Sequence, residues 1–155
     1  ERVPDVELVI VGEGYEREAI LDEVRRHDAE SWISLPGRVT DQQLRDLYRR
    51  AWLAVSASVR EGWGMTLTEA AACGTPSVAT DIAGHADAVA EGRSGLLHAS
   101  DPDLVDAISR VMTDHELRER LSEGALTRAS ELTWEHTAVA NFEVLAEDAL
   151  RRRGG

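Results

Sequence analysis

Short apolar, often β-branched runs alternate with stretches of helical spacing through the first hundred residues, and this alternation fixes the fold class. The strand-like runs are Glu7–Val11 (ELVIV), Trp32–Leu35, Leu53–Ala57 (LAVSA), Ser77–Thr80 and Gly95–His98. Between them, Tyr15–His27 places Ile20, Leu21 and Val24 on one face, and Asp41–Arg50 places Leu44, Leu47 and Tyr48 on another. Met65–Cys73 is Ala-rich and stopped by Gly74-Thr75-Pro76, and a short helix is expected within Ile82–Ala90. A strand followed by a helix and then another strand needs a crossover connection, so the pattern predicts a parallel, Rossmann-like sheet with helices on both faces. Thr40 or Asp41 is the expected N-cap of its helix. After Asp101-Pro102 the strand signal stops. Helices are predicted over Asp103–Thr113, His115–Leu121 and Glu123–Ser130, with a long terminal helix capped by Thr133 and running to about Arg153. The reading is one domain over 1–155, with an α/β portion over 1–100 and a helical portion over 101–155.

Composition narrows the partners. At 43% apolar and 30% charged, the chain can bury a core. Its formal net charge of −12 repels a phosphate backbone, which argues against general nucleic-acid binding. A small phosphorylated ligand is still compatible, because a helix N-terminus binds phosphate through backbone N–H groups. The single cysteine, Cys73, makes no internal disulfide and no Cys-rich zinc site, which suits a reducing cytosol. It is expected to act as a small apolar residue. The opening ERVPDVELVIVG lacks a leader pattern, and no apolar run approaches the ~20 residues of a membrane span. A cytoplasmic location with no direct membrane span is the expectation.

In open parallel sheets ligands bind beyond the carboxyl ends of the strands. That rule selects four loops: Gly12–Tyr15, Pro36–Thr40, Ser58–Gly64 and Asp81–Ala86. The richest is the third, which runs into a helix as REGWGMTLTEA from Arg60 to Ala70. Gly62 and Gly64 let the backbone turn and approach a ligand. The N–H groups of Met65, Thr66 and Leu67 are then expected at the positive end of a helix, where a diphosphate suits them. Glu69 lies one turn inside and shares a face with Met65 or Thr66. A carboxylate there can accept hydrogen bonds from two vicinal hydroxyls, and Glu61, in the loop, is placed for hydroxyls on whatever the phosphate carries. The bland alternative for Glu69 is an acid favoured by the helix dipole.

The segment REGWGMTLTEAAACGTPSVATDIAG resembles the signature of the large retaining glycosyltransferase family that includes sucrose, mannosyl and glycogen-type transferases (family 4-like, group 1). Its hallmark is two glutamates with seven residues between them, here Glu61 and Glu69, in an EG-aromatic-G setting. LVIVGEG, LPGRV with DQQLRDLY, GTPSVATD, GRSGLL and LTWEHTA match in order, so the likeness runs through essentially the whole chain. The resemblance implies the C-terminal, donor-binding half of a GT-B enzyme that uses a nucleoside diphosphate sugar and retains the anomeric configuration; no divalent metal or other cofactor is expected, because the site loops show no acidic metal-binding pair. It implies that Glu69 binds the ribose hydroxyls. Gly64, Met65, Thr66 and Leu67 would hold the diphosphate or sugar through backbone N–H groups. Glu61 would contact the transferred sugar and stabilise positive charge at its anomeric carbon. Val39, with Arg38 beside it, would receive the base, and Gly12 and Gly14 would shape the floor of the cleft.

Two departures stand out. Ala57 replaces a common proline. The family's first strand and helix of this domain, with a Gly-Arg and a Lys-Gly that clamp the diphosphate, are not matched. Either the neighbouring strands then pair directly or another chain fills the gap, as in a strand-swapped homo-oligomer; an open gap leaves two bare strand edges. The partners implied are a nucleotide-sugar donor and an absent N-terminal acceptor domain, and the half alone is expected to be inactive. Two other readings are weighed: a non-catalytic nucleotide- or sugar-binding or assembly module, and an unrelated enzyme such as a sugar epimerase, whose acid–base set is missing. Gly12-Glu13-Gly14 lacks the third glycine of a dinucleotide fingerprint. His85 is expected at the surface, with contact to the donor sugar as the alternative. Trp32 and Trp52 are read as packing residues, Trp134 as an anchor against the sheet, and Trp63 either packs beneath its loop or lines the cleft.

Overall fold

The computed structural model describes residue 3 and residues 5–153, so part of the N-terminal stretch scanned for a leader lies outside the described residues. The elements run β1 (Leu8–Val11), α1 (Arg17–Arg26), β2 (Ile33–Gly37), α2 (Asp41–Arg50), β3 (Ala54–Ser56), α3 (Met65–Ala72), β4 (Ser77–Thr80), α4 (Ala83–Ala88), β5 (Gly95–His98), α5 (Asp101–Thr113), α6 (His115–Glu131) and α7 (Trp134–Arg153). They fall into two compact units, 1–50 and 51–155.

In the first unit β1 pairs with β2 in parallel, Leu8 opposite Ile33, with a register irregularity between Val9 and Val11. Arg17 donates from Nη2 to the Leu35 carbonyl at 2.8 Å, which ties the start of α1 to the middle of β2. Helix α1 closes on Asp28, whose φ of 51° takes the left-handed conformation usually given to glycine. The next N–H, that of Ala29, then reaches the Val24 carbonyl at 2.9 Å. Helix α2 begins with a reciprocal cap. The Thr40 N–H donates to Gln43 Oε1 at 2.8 Å, and the Gln43 N–H donates to Thr40 Oγ1 at 3.3 Å.

In the second unit the order is β3-β4-β5, parallel throughout. Alternation along β4 sends Val78 and Ala79 to opposite faces, and both are fully buried. Val78 and Leu96 pack with Leu104, Ala107 and Val111 of α5 and Leu117 and Leu121 of α6. Ala79 packs with Leu67 of α3 and with Ala88 and Val89 around the end of α4. Helices thus cover both faces, as a central parallel strand requires.

Several expectations change. The strands make two sheets rather than one, and among the described residues β1 pairs only with β2 and β3 only with β4. Helix α6 is unbroken where two helices were predicted. Gly124 inside it is a close-approach residue: a Cβ there would collide with the Arg93 carbonyl. Helix α5 begins at Asp101 because Pro102 sits in its first turn, where a missing N–H costs nothing. Thr133 caps α7 as expected, accepting from the His136 N–H at 3.1 Å. Trp134, however, is 87% exposed and anchors nothing. Trp52 packs by stacking, with the Arg118 guanidinium 4.1 Å from its ring centre.

Candidate functional site

The predicted site residues fall in two groups, one in each unit. In the first unit, the Gly12 N–H donates to the Gly37 carbonyl at 2.9 Å, which brings the loops after β1 and β2 together. Gly12 and Gly37 have φ of 123° and 76°, so both turns need glycine. Gly14 lies in open space, Arg38 is exposed and Val39 is half-buried. A concave surface beside them is lined by Val9, Pro36, Val39, Gln43 and Leu47.

In the second unit the loop after β3 leads into α3. Gly64 is the N-cap, with φ −69°, so its role is not a left-handed turn. It is buried because α4 packs on it: a Cβ would lie 3.1 Å from the Ala88 Cβ and 3.3 Å from the Gly84 carbonyl oxygen. The Gly64 N–H donates to that same carbonyl at 3.0 Å. Gly84 is equally constrained, since a Cβ there would lie 2.5 Å from the Glu61 carbonyl oxygen. Two glycines therefore let the glutamate loop rest directly on the first turn of α4. Gly62 meets nothing and is not under this constraint.

The expected row of open amides is mostly closed. The Met65 N–H turns back to the Trp63 carbonyl at 2.7 Å, and the Leu67 N–H reaches the Gly64 carbonyl at 3.0 Å, tightening the first turn of α3 in the 3₁₀ manner. Among the described residues the Thr66 N–H alone of these three has no protein partner. Glu61 and Glu69 are both exposed, and Glu61 accepts from the Ser58 hydroxyl at 2.9 Å. Trp63 stays 42% exposed beside them. Cys73, half-buried, caps the far end of α3.

His85 is the residue most misjudged from sequence. It is only 1% exposed, beneath the glutamate loop, with hydrogen-bond partners at both ring nitrogens. Ser56, Ser58 and Thr80, which surround it, were not singled out; the only sequence hint was their place at the ends of β3 and β4. The described residues hold no group of three or more His, Cys, Asp or Glu placed to bind a metal. No described helix is long and apolar enough to cross a membrane.

Comparison with known proteins agrees with this architecture. The chain is 35% identical over 161 aligned positions to a D-inositol 3-phosphate glycosyltransferase of Stackebrandtia nassauensis, covering 99% of this chain and 36% of that protein. Among solved structures, sucrose-phosphate synthase from Thermosynechococcus elongatus superimposes with a TM-score of 0.80 at 25% identity, over 97% of this chain and 40% of that one. Anabaena HepE, solved in complex with UDP and glucose, shares the fold with a TM-score of 0.76 at 22% identity, over 93% of this chain and 41% of that one. The chain thus spans less than half the length of these proteins. The sequence profile described as glycosyl transferases group 1 matches residues 1–128, and this chain belongs to that family.

Proposed function

We propose that this chain is the donor-binding, C-terminal half of a retaining GT-B glycosyltransferase, which moves a sugar from a nucleoside diphosphate sugar to an acceptor held by the N-terminal half. Alone, this half transfers nothing. The observation that carries the reading is the junction from Glu61 to Glu69. There an open N–H at Thr66 sits at the positive end of α3, with an exposed carboxylate in the loop before it and another one turn into the helix. Glu69 takes the ribose hydroxyls. Glu61 takes the sugar and offsets positive charge at the anomeric carbon as the diphosphate leaves and the acceptor attacks from the same face. Gly64, Met65, Thr66 and Leu67 supply backbone donors to the diphosphate, which requires the bonds that Gly64, Met65 and Leu67 make within the protein to open or be shared. In the first unit, Val39 with Arg38 is assigned to the base, and Gly12 and Gly14 to the backbone beside it. The exposed Phe142 and Leu145 of α7, three residues apart on one face, suit a helix that continues onto the acceptor half.

The closed amides of Gly64, Met65 and Leu67 favour a second reading, a binding or assembly module that does no chemistry. Calorimetry of the full-length protein with uridine, guanosine and adenosine diphosphates separates the two, together with donor turnover. Glu69→Ala is expected to weaken nucleotide binding about tenfold or more, the loss of a hydrogen bond to a charged group. Glu61→Ala is expected to lower kcat more than affinity. Failure of all three nucleotides to bind ends the transferase reading, and binding without turnover selects the module.

A further inference from the structure

The buried histidine leads back to the glutamate loop by two routes. His85 Nδ1 lies 2.8 Å from the Thr80 carbonyl oxygen. A carbonyl only accepts, so Nδ1 carries the proton. Nε2 of the neutral ring is then an acceptor, and its neighbour at 3.2 Å is the Ser56 hydroxyl. Ser56 gives its one proton to Nε2 and Ser58 gives its own to Glu61 Oε1 at 2.9 Å, so the 3.4 Å between the two hydroxyl oxygens is a packing contact. The second route runs through Thr80. Its hydroxyl lies 3.2 Å from Nδ1 and donates to the Ser58 carbonyl at 2.5 Å. Ser58 is therefore gripped at its backbone by Thr80 and flanked at its side chain by Ser56, and both partners are oriented by one imidazole that solvent does not reach.

We infer that His85 is a positioning residue for transfer, acting through the hydrogen bond of Thr80 to Ser58 and the packing of Ser56 beside it to hold the Glu61 carboxylate in one orientation. This rests on the reading of Glu61 given above. Any buried imidazole needs a partner at both nitrogens; His85 takes them from Ser56 and Thr80, the residues that touch Ser58, and a loop glutamate without Ser58 would sample several rotamers before each encounter with a sugar. Fixing one of them removes that entropy cost from the chemical step. Gly84 completes the device, because its lack of a side chain lets the Glu61 backbone rest on the helix that carries His85.

The geometry and the kinetic role are tested separately. Nitrogen-15 NMR of the histidine side chains in the full-length protein at neutral pH should show His85 as the Nδ1–H tautomer, with Ser56→Ala shifting the Nε2 resonance. A proton on Nε2 in place of Nδ1 overturns the inference whatever the enzyme does. In the full-length protein, Ser58→Ala and His85→Gln should each lower kcat about tenfold, with the nucleoside diphosphate Kd changed less than about twofold. Ser58→Thr, which keeps the hydroxyl, should restore most of the rate. Equal losses in kcat and nucleotide affinity, or no rescue by threonine in a protein of unchanged Tm, overturn the inference. If Glu61→Ala impairs transfer and Ser58→Ala does not, the inference fails alone. If Glu61→Ala leaves transfer intact, the reading of Glu61 fails and the inference falls with it.

Discussion

The two sheets reverse what their sequences suggest. Strand β1 (LVIV) is the most apolar run in the chain, yet Leu8, Val9 and Val11 are each more than a third exposed. Strand β4 (SVAT) is half polar, yet Ser77, Val78 and Ala79 are 2% exposed or less. Burial is decided by what covers a strand. Strand β4 has a strand on each side and helices on both faces. Among the described residues strand β1 pairs with one strand, and none of the residues of α2 is buried. Apolar character alone therefore does not set burial; neighbours on both edges and both faces do.

The largest effect should come from the covered sheet. Leu121 is fully buried against Val78 and α5, so Leu121→Ala should cost about 2–5 kcal/mol through lost contacts and a residual cavity. Val9→Ala on β1 removes a side chain already 39% exposed and should cost about 1 kcal/mol or less. Urea denaturation of both variants gives the ratio. Equal costs would mean that β1 is covered in solution, and the contrast between the sheets would be lost.

Added methyl groups probe the same difference from the other side. Gly124→Ala drives a Cβ into the Arg93 carbonyl and should cost about 1–3 kcal/mol as α6 is pushed off the loop before β5. Gly14→Ala in the first unit meets nothing within 4 Å and should fall within about 0.5 kcal/mol of neutral. Thermal melts of the pair suffice. A tolerated Gly124→Ala would show that α6 can slide, and that the second unit is less tightly fitted than its core implies.

These glycines also mark what a sequence could disclose. The alternation of elements, the parallel pairing and the stop at Gly74-Thr75-Pro76 were legible because they rest on local rules of period, cap and turn. The spacing of Glu61 and Glu69 was legible as a motif. The demand for glycine at 64, 84 and 124 was not, because it comes from backbones far apart in sequence pressing together. The burial of His85 was hidden for the same reason: its partners Ser56 and Thr80 are polar, and polar residues at strand ends look like surface. The row of free amides follows from an ideal helix entry, whereas the first turn of α3 tightens and consumes two of the three.

A cap gives a smaller effect and a test confined to the first unit. Thr40→Ala removes the hydroxyl that receives the Gln43 N–H and should cost about 1 kcal/mol. Because α2 has no buried residue to hold it, the loss should appear as faster amide exchange along α2 rather than as a shift in the whole transition. Exchange that slows uniformly or leaves α2 unchanged would mean that packing, not the cap, holds this helix.

The smallest effect concerns ion pairs, where the units differ again. In the first unit Arg25–Asp22 and Arg26–Glu23 are local pairs on α1. In the second, Glu131 at the end of α6 accepts from Arg128 at 3.0 Å and from both terminal nitrogens of Arg93 at 3.1 Å, closing a long loop of chain. The hydrogen bond from Arg128, then that from Arg93, holds the Glu131 carboxyl below its ordinary range. A lowered folded pKa stabilises the protein above the unfolded glutamate value of about 4.3, and that contribution is lost as pH falls through the folded value. Glu131→Gln should therefore lower Tm slightly and by a constant amount at and above neutral pH, with the gap closing as the pH falls below the unfolded glutamate value of about 4.3 and through the lower folded value. The pair is partly exposed, so about 1 M salt should narrow the gap at neutral pH as well. Glu23→Gln on α1 should move Tm less, because its partner is already held on the same helix. A Glu131→Gln gap that persists at low pH and high salt would mean that the side chain packs rather than pairs, and the electrostatic difference between the two units would disappear.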